Sequence, residues 1–206
     1  MNAIDLMMEE HKYIKRMLFV VRKACFKVVE GEDVNYEDFN SMISFIRNFA
    51  DSHHHKKEEV MLFNKMVEEI GETAEKVIKH GMLVEHDLGR FYIKSLEEAL
   101  EDYKGGNKEA ILDIIANAIS YTHLLERHID KEDKVIYKFA QRELKEDILN
   151  NIDNECIEFE NFHKSISKYR GIVFRSNYIE KGSDVNPLFD ITKFNKLLAN
   201  NDIPNI

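Results

Sequence analysis

Two stretches decide the reading: His54-His55-Lys56-Lys57-Glu58-Glu59-Val60-Met61-Leu62-Phe63 and His128-Ile129-Asp130-Lys131-Glu132-Asp133-Lys134-Val135-Ile136-Tyr137. Laid over one another with His54 on His128, they share a histidine, a lysine, a glutamate, a second acid, an aliphatic and an aromatic residue. Each holds a His-x-x-x-Glu pattern, His54/Glu58 and His128/Glu132. Four residues of α-helix advance about 400°, so the imidazole and the carboxylate stand one turn apart on one face. A third pair, His55/Glu59, has the same spacing. With 9 histidines and 24 glutamates in 206 residues, chance supplies about one such pair, and the pattern alone equally describes a solvated ion pair. The repeat is what gives it weight.

The repeat extends outward. Glu10-His11 and Arg16 on the preceding segment resemble Glu85-His86 and Arg90, with His11 falling on His86 in almost the same register. The first pair of helices thus reads as a copy of the second, related by a pseudo-twofold axis. Each half supplies one lone histidine and one His-x-x-x-Glu. The segments between are helical by their apolar stripes: Met7, Ile14, Leu18, Val21 and Cys25 in 3–30, and Phe39, Met42, Ile46 and Phe49 in 36–69. Segment 73–104 follows, with Gly81 a candidate break, then 107–140 with Asn107 as a cap and Ile111, Ile114, Ala118 and Ile119 as its apolar face. A fifth, 143–170, carries Leu144, Ile148, Ile152, Cys156 and Phe159. Short connections between long helices predict an all-α fold: an antiparallel four-helix bundle with an additional C-terminal helix and tail. The domain division is 1–170 for the bundle and 171–206 for an Asn/Asp-rich extension.

Composition agrees. No proline precedes Pro187, and the chain has only 8 glycines, too few turn formers for an all-β fold. A formal net charge of −9 argues against a nucleic-acid partner. No apolar run approaches the roughly 20 residues that span a bilayer, and Asp5, Glu9 and Glu10 do not suit a secretory leader. Cys25 and Cys156 are too few and too far apart for a disulfide framework. A cytoplasmic protein with no membrane partner is the expectation. Phe45, Phe49, Leu62, Phe63, Phe91, Ile136 and Tyr137 read as core, some of them walling a dry pocket, while Glu9-Glu10 and Glu97-Glu98 read as solvated faces.

Four imidazoles and two carboxylates aimed into one core exceed the needs of a tetrahedral zinc, and no cysteine accompanies them. Mixed nitrogen and oxygen ligation suits iron, and manganese less well. Two carboxylates can bridge two ions, and a histidine-rich set favours an anionic oxygen species such as peroxide or hydroxide. His53 and His55 lie about 100° either side of His54 on an α-helix and are read as outside the set. His55 with Glu59 reads as a surface pair or a supporting one. His80, His123 and His163 read as surface or packing residues.

Taken together, His11, the HHHKKEE run ending at Leu62-Phe63, MLVEHDLGR on the third helix and RHIDKED on the fourth resemble the hemerythrin-like (HHE cation-binding) proteins over about residues 5–170. The resemblance implies a four-helix bundle around a non-haem di-iron centre with oxo- or hydroxo- and carboxylate bridges. The implied metal ligands are His11, His54, Glu58, His86, His128 and Glu132, with Glu58 and Glu132 as bridges. Hemerythrin's last carboxylate stands five residues after its histidine, which would be Asp133, but the internal repeat favours Glu132. Hemerythrin also has two histidines four residues apart on its third helix. Here the flanking positions are Met82 and Arg90, so the fifth histidine is absent or replaced, with Glu85, Tyr121 and a further histidine as candidates.

Two functional classes follow: a protein that binds, senses or scavenges O2 or a related small ligand, and a di-iron enzyme that reduces O2, peroxide or nitric oxide with electrons from a redox partner. Iron donation for repair is a third.

Overall fold

The computed structural model describes residues 2–169 and Lys196; all but that residue of the expected extension at 171–206 lies outside the described residues. Among them the chain is all-helical, without a strand. Five long helical stretches follow one another. The first is α1 (Ala3–Val29). The second is α2 (Tyr36–Phe45), which runs through π-helical turns at Ile46–His55 and Glu58–Phe63 into α3 (Asn64–Ile70). The third joins α4 (Glu72–Val77), a π-helical Ile78–Met82 and α5 (Leu83–Lys104). In the fourth, a 3-10 turn (Lys108–Ala110) leads into α6 (Ile111–Lys131), π-helical Glu132–Ile136 and α7 (Tyr137–Glu143). The fifth is α8 (Glu146–Tyr169).

The ends are set by local chemistry. Asn2 caps α1 by accepting from the Asp5 amide at 2.8 Å, and Asn35 caps α2 through the Asp38 amide at 3.1 Å. Asn107 caps the fourth stretch through the Glu109 amide at 3.2 Å. Gly71 alone separates α3 from α4 with φ of 79°, a conformation that a Cβ makes costly. Gly81 does not break the third stretch as expected; it sits inside the continuous π-helical turn there.

α5 lies against α6, and α1 against α6 and α2, while α8 packs on α1 and on the π-helical Glu58–Phe63. The apolar stripes bury two clusters. One gathers Ile14 to Val28, Phe39 to Ala50, Ile93 to Leu100 and Ile114 to Ile129; the other gathers Ile4, Met7, Met61 to Met66, Met82, Ile136, Tyr137, Ile152 and Cys156. Each of the first four helical stretches passes from one cluster to the other through a short polar interval: His11 after Met7, His54 before Met61, His86 after Met82, His128 before Ile136. A polar layer thereby lies between two apolar ones. Phe91, expected in the core, is 59% exposed. It follows His86 by five residues, about 140° round the helix, and so faces away from the stripe that His86 begins. No helix among the described residues is long and apolar enough to cross a membrane.

Candidate metal centre

The polar layer gathers His11, His54, Glu58, His86, His128 and Glu132, each no more than 1% exposed. Their available nitrogen and oxygen atoms fall into two overlapping groups, each within 4.8 Å: His11, His54, Glu58 and Glu132, and His55, Glu58, His86 and His128. All six residues singled out in the sequence lie in one group or the other, and Glu58 lies in both.

His55 joins them against expectation. Its ring stacks on His86 with centroids 4.0 Å apart and lies 5.9 Å from His128. Its exclusion presumes the α-helical angle between neighbours, but Ile46–His55 is π-helical. Closing hydrogen bonds at i→i+5 puts more residues in a turn and narrows that angle, so His54 and His55 both face inward. Glu59, the expected partner of His55, binds His86 instead. The other candidates for the absent histidine, Glu85 and Tyr121, belong elsewhere: Glu85 binds the outer nitrogen of His128. The flanking positions are also engaged elsewhere, Met82 in the apolar core and Arg90 on Asp51 and Glu59 at 2.8 and 2.6 Å. Tyr121 is buried, and its hydroxyl makes no hydrogen bond among the described residues.

Four imidazoles are held from behind by carboxylates: His11 Nδ1 by Asp133 at 2.6 Å, His86 by Glu59 at 2.7 Å, His54 by Glu10 at 2.8 Å and His128 by Glu85 at 2.8 Å. With Nδ1 so engaged, Nε2 is left facing the layer. The repeat governs these partners too: Glu10 and Glu85 share the register of His11 and His86, and Glu59 and Asp133 share that of His54 and His128. Lys57 pairs with Glu10 as Lys131 pairs with Glu85. Lys15, rather than Arg16, matches Arg90, for it lies 3.5 Å from Asp133 as Arg90 lies against Glu59. Two departures break the symmetry at the centre. His55 corresponds to Ile129, and Tyr137, whose hydroxyl donates to Glu58, corresponds to Phe63.

The donor set is able to hold cations. His54 Nε2, Glu58 Oε2 and both oxygens of Glu132 are buried without a well-aligned hydrogen bond, Glu132 meeting the ring nitrogens of His128 at 3.0 Å and His11 at 3.4 Å, and such crowded inward atoms are costly unless an ion engages them. His86 and His128 bring their Nε2 atoms to 2.9 Å. That is the separation of adjacent ligands at a right angle on an ion with bonds of about 2.1 Å. Without an ion the layer carries protons. Burial and the neighbouring Glu132 raise the Glu58 carboxyl well above its usual range. Burial opposes ionisation of Glu132 as well, but His128 and His11 beside it hold it well below. Burial disfavours a charged His128, yet Glu132 and Glu85 push it up to about 10. Burial and His11 bring His54 down to about 4. Cation uptake therefore displaces protons and strengthens as pH rises.

A third group, Glu10, His53 and Glu160, also has ligand spacing. Its centre is filled by Lys57, whose ammonium lies 3.0 Å from His53 Nε2, 2.6 Å from Glu160 Oε1 and in contact with Glu10. The lysine supplies the positive charge that an ion would bring. Glu10, expected on a solvated face, is thus buried, and it joins this ion network to His54. Glu97 and Glu98 are surface residues as expected, as are His80 and His123. His163 rests partly buried on Phe159, with centroids 4.2 Å apart.

Fold and site together define an all-helical protein with a buried histidine–glutamate set able to hold cations. The model of the hemerythrin HHE cation-binding domain matches residues 2–140, and the chain belongs to that family. No curated protein and no solved structure matches it. The match ends before α8, so Glu160 reaches Lys57 from outside the matched residues.

Proposed function

We propose that the chain is a non-haem di-iron protein that binds O2 or a related small ligand within an antiparallel four-helix bundle spanning 1–170. The carrying observation is the pair of ligand groups that share Glu58 and leave inward atoms of His54, Glu58 and Glu132 without well-aligned hydrogen bonds. His11 and His54 would hold one iron, and His55, His86 and His128 the other, with Glu58 and Glu132 bridging. His55 then supplies the imidazole that the third helix lacks. A bound iron pair supplies redox-active positions for a small ligand. The chain's own part is to orient and to shield. The carboxylates behind His11, His54, His86 and His128 fix their rings, and Tyr137 steadies Glu58 through its hydroxyl. The two apolar clusters keep bulk water from the layer. Two buried, separate thiols suit the reducing cytoplasm.

The test is metal analysis with an optical spectrum, followed by exposure of the reduced protein to O2. About two irons per chain, charge-transfer bands of a bridged pair and a spectral change reversed by removing O2 support this reading. Rapid oxidation with repeated turnover under a reductant makes the protein an enzyme with a redox partner. A single zinc, or no metal, overturns both.

A further inference from the structure

We propose that His55 is a displaceable ligand, and that a small anionic oxygen or nitrogen ligand takes its place while its ring turns toward Tyr121. This inference rests on the di-iron reading. Each of the other four imidazoles is anchored at Nδ1 by a carboxylate between 2.6 and 2.8 Å away. His55 Nδ1 has only a long contact, to Asp51 Oδ1 at 3.5 Å, and that oxygen is itself held by Arg90 at 2.8 Å. Loss of such an anchor typically costs roughly 10–100-fold in metal affinity, so His55 is the weakest imidazole of the set.

The space for its departure is present. A cavity of about 40 Å³, open to solvent on one side, is lined by His55, Asp51, Gly89, Arg90 and Tyr121. Tyr121 brings to its wall a buried hydroxyl without a hydrogen-bond partner. The internal repeat explains why the cavity exists in one half. His55, Asp51 and Gly89 correspond to Ile129, Leu125 and Ile14, three buried apolar residues of the first cluster. Where one half is plugged by branched aliphatic side chains, the other has an acid, an unanchored imidazole and a glycine. Because the cavity opens to solvent, the turning ring displaces a few waters rather than filling a closed space, and the position it leaves admits a ligand of two or three atoms. The Tyr121 hydroxyl offers the released ring a donor or an acceptor, and the Asp51 carboxylate offers it an acceptor.

The experiment is azide titration of the iron-loaded full chain, followed optically, with iron content measured for every variant. His55→Ala is expected to keep two irons and to bind azide roughly tenfold more tightly than the unaltered chain, since its position is already open. Tyr121→Phe is expected to keep the iron and to bind azide several-fold more weakly, because the released ring loses its partner. Loss of iron from His55→Ala shows an indispensable ligand and overturns the inference, as does unchanged or weaker azide binding in that variant. Unchanged binding in Tyr121→Phe overturns the role of the cavity. An unaltered chain without an iron pair overturns the proposed function first and this inference with it, whereas these variant results overturn this inference alone.

Discussion

Lys57 shows what a single side chain does in this core. It is fully buried, and two carboxylates from different helices, Glu10 of α1 and Glu160 of α8, converge on its ammonium beside His53. Burial alone would lower its pKa, but Glu10 and Glu160 raise it, so it stays charged. Replacing Lys57 by Met leaves two buried acids without their cation. The expected loss is about 3–5 kcal/mol, read by denaturant unfolding of the metal-free protein. A loss under about 1 kcal/mol would show that the pair is solvated. Lys57 and Glu10 escape a reading of the sequence because a lysine in a charged run and an adjacent Glu-Glu pair look like surface. Nothing local marks them as buried; only the arrival of Glu160 from a distant helix does. His11, His54, His86 and His128 are legible because their spacing survives duplication. His55 is not, because the angle between neighbouring side chains depends on the helix type that forms there.

At the scale of elements, the π-helical turns carry much of the chemistry. Ile46–His55 holds His54 and His55, Glu58–Phe63 begins with Glu58, and Glu132–Ile136 begins with Glu132. Such turns often accompany functional sites, and no propensity pattern announces them. Helix existence is legible throughout, down to the cap at Asn107, while Gly81 misleads because a glycine is tolerated inside a helix. α8 is tied to the rest by Ile152 and Cys156 in the second cluster and by Glu160 on Lys57. Burial opposes ionisation of Glu160, but His53 and Lys57 hold its carboxyl below the usual range. A carboxyl depressed on folding contributes stability above its unfolded value, near 4.5 here, and that contribution is lost as pH falls through the folded value. Glu160→Gln is therefore expected to be less stable than the unaltered chain at neutral pH, with the gap closing below about pH 4. Urea unfolding of the metal-free proteins across pH measures it; a gap independent of pH would show that Glu160 contributes by packing alone.

The described residues form a polar layer between two apolar ones, and its symmetry is broken at few positions. The duplicated halves supply matching imidazoles, matching carboxylates behind them and matching lysines behind those. His55 and Tyr137 then make the two ligand groups unlike. Under the proposed function, that inequivalence would distinguish two functionally different ions from a symmetric structural pair. The most direct measurement is anomalous diffraction from crystals of the iron-loaded protein. The account predicts two iron peaks, one bonded to His11 and His54 and the other to His55, His86 and His128, with Glu58 and Glu132 between them. A single peak, or one among Glu10, His53 and Glu160, would contradict it.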